Sequence, residues 1–249
     1  MTLEPAAAAP RALLLQIRRD AQVQAEEYAS FLAHGGLQAH QLATLDAFAT
    51  PRFGPEVLEG FSALFVGGAS DASVLEPQRY PFVPAGIELL RHCIRTDIPV
   101  FASCFGFQLA VLALNGEIVR DHADYEMGTP SIRLTAAARS DPLFHDMPDP
   151  FPAVSVHKER APALPEGCEL LAYTSACPHA FRVTGKPFWA FQFHPEVDRA
   201  TLVERLTHFR AQYTDGDDHL QQVLDQAVPT PDSNALTGKF VARVLHAGA

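Results

Sequence analysis

Cys104 stands in the stretch FASCFGFQLA, residues 101 to 110, between an apolar run and a segment that reads as a helix. A cysteine in that setting has two readings. It can be a small buried apolar residue, as free cysteines most often are. It can instead be a nucleophile held at a sharp strand-to-helix turn, its thiol at the carboxyl end of a strand, where open α/β sheets place their sites. The start of the following helix favours the thiolate, which is the reactive form. Gly106 allows close packing in such a turn, and the Phe105 N–H is positioned to bind an oxyanion, as in other strand–nucleophile–helix elbows.

Two further segments favour the reactive reading. FVGGAS ends an apolar run in Gly67 and Gly68, whose backbone N–H groups suit a second oxyanion donor. In FWAFQFHPEV, alternation puts Trp189, Phe191 and Phe193 on one face and Gln192 and His194 on the other. Glu196 follows His194 across a stiff proline, Pro195, so its carboxylate can reach the imidazole. Thiol, imidazole and an orienting carboxylate form the cysteine version of the catalytic triad. The blander alternatives are a surface histidine at a strand end and a solvated acid.

Taken together, ASCFGFQLA and FQFHPEV resemble the class I glutamine amidotransferase family, whose pattern is C-x-G-x-Q followed well downstream by H-P-E. Cys104, Gly106 and Gln108 match the first part, and His194, Pro195 and Glu196 the second. GGAS lies where the family has its oxyanion glycines, with Ala69 in place of the more usual proline. The resemblance runs from about Leu13 to Tyr213. DYEMG, SVHKERAPALPEG and CPHAFRV make the chain look closest to free-standing relatives of the GMP synthase glutaminase domain. The resemblance implies that Cys104 attacks the glutamine amide carbon while the N–H groups of Gly68 and Phe105 hold the oxyanion. His194 protonates the leaving ammonia and then activates water, and Glu196 holds the imidazole. It also implies that Gln108 and Gly67 help to bind substrate. The backbone of the turn at His157, Lys158 and Glu159 would take the substrate's α-amino and α-carboxylate ends. That turn departs from the family pattern, because Glu159 stands where Asp is usual, and His157 reads equally as a loop histidine with no role. Glu126 in DYEMG either orders the pocket or is an exposed loop acid.

Positioning these groups requires a parallel sheet. RALLLQI reads as a first strand, AQVQAEEYASFLAHGG as a helix with Val23, Tyr28, Phe31 and Leu32 on its apolar face, and LQAHQLATL as a second strand. FSALFVGGAS and IPVFASC read as buried parallel strands. PFVPAGIELLRHCIRTD and FGFQLAVLALNG read as helices, the latter stopped by Gly116. Beyond Gly116, SIRLTAAA, FPAVSVHKE, CELLAYTS, HAFRVTG and PFWAFQFHPE are strand-like, with a hairpin turn at Gly185–Lys186. RATLVERLTHFRAQY reads as a closing amphipathic helix. The expected fold is an α/β, flavodoxin-like open sheet, mostly parallel, with helices on both faces and added β-hairpins. The chain 1–249 is expected to form a single domain with a loose tail over 1–10 and a helical C-terminal extension over 214–249.

The composition narrows the function. The 249 residues are 47% hydrophobic and 19% charged, with a net charge of −10 and no long basic run, which disfavours nucleic acid and anionic membranes as partners. ALLLQI is too short to span a membrane, so a cytoplasmic protein is expected. The four cysteines show no C-x-x-C spacing and the eleven histidines no H-E-x-x-H pattern, so neither a metal nor a cofactor is expected. Cys93, Cys168 and Cys177 read as buried thiols. No P-loop and no S-G-G-x-D-S motif is present. Glutamine hydrolysis would therefore need a separate synthetase or acceptor protein for its ammonia. A γ-glutamyl peptidase or hydrolase is the alternative, and a catalytically silent module a weaker one, since folding does not demand Cys104, His194 and Glu196 together. The sequence leaves the oligomeric state open.

Overall fold

A computed structural model describes residues 10–120, 126–208 and 217–246. Its centre is a nine-stranded sheet with two halves. Five parallel strands, β1 (Ala12–Ile17), β2 (Leu42–Asp46), β3 (Ala63–Ala69), β4 (Val100–Ser103) and β13 (Phe188–Phe191), lie in the order β2-β1-β3-β4-β13. Beyond β13 the sheet continues with antiparallel β12 (Pro178–Val183), β11 (Cys168–Tyr173), β7 (Ser131–Leu134) and β8 (Phe151–Pro152). Two short ribbons stand apart from it. β5 (Val119–Arg120) pairs with β10 (Glu159–Arg160), and β6 (Glu126–Gly128) with β9 (Ser155–His157).

The inner parallel strands β1, β3, β4 and β13 are mostly apolar and buried because both of their faces are covered, whereas the edge strand β2, which contains Thr44 and Asp46, is largely not buried. Leu13, Leu15, Leu64, Val66, Val100 and Phe188 face one core, under α2 (Phe82–Thr96) and α3 (Phe105–Ala113). Leu14, Phe65, Phe101, Trp189 and Phe191 face the other, under α1 (Ala21–Gly35). Among the described residues, three helices follow the last strand: α4 (Arg199–His208), α5 (Asp217–Gln226) and α6 (Pro231–Phe240), with a π-helical turn over Val241–Leu245. Within the C-terminal segment, α6 packs into the core. The Phe240 ring centroid lies 5.5 Å from that of Phe65, 5.3 Å from Phe101 and 6.0 Å from Trp189. No helix among the described residues is long and apolar enough to cross a membrane.

Several expectations need correcting. In LQAHQLATL, residues Ala39–Gln41 form a turn of 3-10 helix and only Leu42–Asp46 is strand. The first helix buries Val23, Glu27, Phe31 and Gly35, one residue every turn, so its inward stripe contains an acid, while Tyr28 and Leu32 are only half-buried. The helix after Cys104 is ended by Asn115, which takes the left-handed conformation at φ 61°, and not by Gly116. Asparagine tolerates that region better than other side chains. Cys168 is half-buried at the start of β11, whereas Cys93 and Cys177 are buried. Pro231 stands in the first turn of α6, where its missing N–H costs nothing. Residues 1–9 of the tail expected over 1–10, Asp124 and Tyr125 of DYEMG, and the expected continuation of the closing helix past residue 208 lie outside the described residues.

Candidate active site

Cys104 occupies a turn between β4 and α3, with φ 50° and ψ −97°. A non-glycine residue held there stores about 1–3 kcal/mol of backbone strain, and such outliers cluster at functional sites. Its N–H donates to the Phe191 carbonyl at 2.7 Å, which extends the pairing of β4 and β13 by one step. Close approach of α3 to the sheet requires Gly106, because a Cβ there would stand 2.9 Å from both the Cβ and the carbonyl oxygen of Val66.

His194 follows β13 by three residues and is fixed by its N–H, which donates to Val154 O at 2.8 Å. Its Nδ1 lies 2.7 Å from Glu196 Oε1, both side chains being buried. The Cys104 sulfur acts on the imidazole electrostatically, and the thiol itself donates to Val156 O at 3.9 Å. Burial opposes protonation of His194, but the Cys104 sulfur and the Glu196 carboxylate outweigh it and push the imidazole up to about 9. Burial likewise opposes ionisation of Glu196, yet His194 holds the carboxyl below its ordinary value. Cys104, His194 and Glu196 thus lie close together.

A cavity of about 340 Å³ opens beside Cys104 and is lined by Phe105, Gln108, Ala69, Tyr80, Arg120 and the His157–Glu159 turn, among others. Gly68 adjoins the imidazole so closely that a Cβ would meet His194 Cε1 at 2.6 Å and Arg18 Nη2 at 2.7 Å. Gly67 packs against the Glu27 carboxylate and is not among the residues lining this cavity. The Gln108 amide donates to the Glu159 carbonyl at 3.1 Å, so it also braces the turn. The Glu159 carboxylate points away from the turn's backbone groups: its Oε1 accepts from Ser73 Oγ at 2.5 Å and from Arg120 Nε and Nη2 at 3.1 and 2.7 Å. Lys158 is exposed at the cavity. His157 is buried, its Nε2 3.2 Å from Glu126 Oε2, so neither is a free loop residue. Burial is the main influence on His157 and lowers its pKa. Burial acts against ionisation of Glu126, but His157 and His179 hold it well below the carboxylate range.

Sequence reasoning missed a second layer. Arg18, at the end of β1, pairs with Glu27 at 2.9 Å in a buried ion pair and donates to Ser70 Oγ at 3.0 Å. Burial works against the Arg18 charge, and Glu27 more than restores it. The signal was present: an acid in line with Val23 and Phe31 on an inward helix stripe demands a buried cation. Ser73, Arg120 and His179 gave no comparable signal, because their partners lie 86, 39 and 53 residues away.

The chain is 34% identical over 116 residues to one of the subunits of the glutamine-hydrolyzing GMP synthase of Methanocaldococcus jannaschii, covering 45% of this chain and 60% of that one. It is 30% identical over 117 residues to the gamma-glutamyl-L-1-hydroxyisopropylamide hydrolase of a Pseudomonas species, covering 45% of this chain and 40% of that one. The chain therefore matches less than two thirds of the length of either relative. A glutamine amidotransferase from Thermotoga maritima has the same fold, with TM-score 0.75 at 17% identity, covering 95% of this chain and 98% of that one. The class-I glutamine amidotransferase family model matches residues 63–208. That match takes in the strand ending in Gly67–Gly68, the strained turn at Cys104 and the buried His194–Glu196 pair, and by it this chain belongs to the class I glutamine amidotransferase family.

Proposed function

We propose that the chain hydrolyses the γ-amide of glutamine through a thioester on Cys104. The observation that carries this reading is the strained Cys104 turn set beside a buried, hydrogen-bonded His194–Glu196 pair, with a cavity opening at Cys104. Cys104 Sγ attacks the amide carbon, and the backbone N–H groups of Gly68 and Phe105 stabilise the oxyanion. His194 gives its proton to the departing nitrogen, the C–N bond breaks, and ammonia leaves. His194 then takes a proton from water, whose oxygen attacks the thioester and releases glutamate and the thiol. Glu196 keeps the imidazole oriented and favours its cation. A cavity of this volume is at the small end of ligand pockets, which suits an amino acid. Gln108 and the His157, Lys158 and Glu159 turn complete the substrate side, while Gly67, which packs against Glu27, takes no part in it. The chain acts as one amidotransferase domain, passes its ammonia to a separate synthetase or acceptor protein, and works in a reducing cytoplasm that keeps its thiol free.

A second reading is a γ-glutamyl hydrolase releasing an amine in place of ammonia. It is favoured by the cavity's extension past Cys104 along Arg79 and Tyr80, and by the likeness to a γ-glutamyl amide hydrolase. One experiment tests both. The protein is treated with a diazo-ketone analogue of glutamine and the modified residue is found by mass spectrometry, with Cys104→Ser as control. Glutamate release from glutamine and from γ-glutamyl alkylamides is followed in parallel. Labelling of Cys104 that glutamine suppresses supports the site, and the preferred substrate chooses between the readings. A folded protein labelled elsewhere overturns both.

A further inference from the structure

Behind the pocket wall, four side chains of metal-ligand type converge from three separate parts of the chain. Glu126 opens β6, His157 ends β9 as its cross-strand partner, Cys177 sits in the turn before β12, and His179 lies in β12. Glu126 Oε2 is 3.2 Å from His157 Nε2, 2.6 Å from His179 Nε2 and 3.7 Å from Cys177 Sγ. One ligand atom from each of the four falls within 4.8 Å of all the others. A tetrahedral zinc ion, with Zn–N of about 2.0–2.1 Å and Zn–S of about 2.3 Å, holds its ligand atoms about 3.3–3.8 Å apart, so seating one here requires the His179–Glu126 pair to open from 2.6 Å and the widest pair, at up to 4.8 Å, to close. Two imidazoles, a thiol and a carboxylate are also the donor types that select zinc over magnesium or calcium.

The surroundings suit an ion as well. Both histidines and Cys177 are buried, and a separate cavity of about 320 Å³, lined by Glu126, Gly128 and Gln226 among others, reaches Glu126 and offers an entry path. Without an ion, a single carboxylate oxygen faces three donors, more than its lone pairs serve well. We propose that Glu126, His157, Cys177 and His179 bind one zinc-type divalent ion, which clamps the β6–β9 ribbon to the main sheet. Four protein ligands leave no open position, so the ion is structural and takes no part in the chemistry at Cys104. The Nδ1 atoms of His157 and His179 have no partner among the described residues, so the outer support that usually strengthens such sites is thin. The ion is therefore removable by a chelator from the folded protein.

The test is cobalt binding to the chelator-stripped chain, followed by its visible and near-ultraviolet spectrum. The expected result is one cobalt per chain, with tetrahedral ligand-field bands and a thiolate-to-cobalt charge-transfer band. That band persists in Cys104→Ser and disappears in Cys177→Ser. In His179→Gln the affinity falls about tenfold or more. Added zinc raises the melting temperature of the parent and of Cys104→Ser. If Cys177→Ser does not fold, the loss of affinity in His179→Gln decides. No thiolate band at equimolar cobalt, or a band lost with Cys104 and kept without Cys177, overturns the proposal.

Discussion

The two walls of the cavity are built on different principles. The wall that carries Cys104, His194 and Glu196 is set by backbone: a strained turn, the ladder between β4 and β13, and glycines that let helix and ring approach. The opposite wall is set by side chains. There Glu159 ties Ser73 to Arg120, Arg120 reaches Glu76 at 3.3 Å, and Gln108 holds the turn's carbonyl, so the small β5–β10 ribbon is fixed by polar side-chain bonds. Backbone-built geometry resists substitution around it but fails when its own residue changes. A network of side chains degrades by steps.

The largest expected effect comes from the backbone-built wall. Cys104→Ser should lower glutamate release by about 10⁴-fold or more while leaving the melting temperature nearly unchanged, as assayed by coupled glutamate detection and thermal unfolding. Retained turnover would place the nucleophile elsewhere. Glu196→Gln should follow, with kcat down about 10²–10⁴-fold. The sign of its pH effect is fixed by the pair: the neutral amide no longer favours the imidazolium, so the His194 pKa falls from about 9 and the alkaline limb of the kcat profile moves to lower pH. A limb that stays in place would uncouple the two residues.

Gly106→Ala tests the packing beneath the elbow. The added methyl must push Val66 or α3 aside, so unfolding in urea should show a loss of about 1–3 kcal/mol, with activity falling alongside. The smallest effect belongs to the side-chain wall. Glu159→Gln keeps the shape but removes the charge that Arg120 pairs with, and should raise KM about tenfold with kcat less affected, in steady-state kinetics. Equal losses in kcat and KM would show that this wall, too, acts on the reacting atoms.

The same contrast explains what could be read before the structure. Cys104, Gly106, His194 and Glu196 lie in two short runs whose period-2 and strand-to-helix patterns fix their directions, so their convergence was legible. The continuous burial of β1, β3, β4 and β13 was legible from their unbroken apolar runs. Glu159 was expected to offer its backbone in a turn, while the destination of its carboxylate, Arg120, is written nowhere near it. Glu126, His157, Cys177 and His179 gave no spacing signal, because three separate parts of the chain bring them together and no single motif does. Asn115 took the helix-ending conformation ahead of Gly116, a choice between adjacent residues that propensity ranks the other way. Phe240 was seen only as part of a terminal helix; nothing local reveals that it fills the aromatic core.

The bond from the Cys104 N–H to Phe191 O makes the spacing of neighbouring strands a ruler for the reacting groups. The sulfur hangs from one side of that rung, and three residues past the other side comes the imidazole. A ruler made of peptide units is copied unchanged whatever side chains surround it, which fits a fold shared with a protein only 17% identical. It also does not slacken before the sheet itself opens. The amide of Cys104 should therefore exchange its hydrogen at the pace of whole-molecule unfolding, among the slowest in the protein, although it sits at the mouth of a cavity.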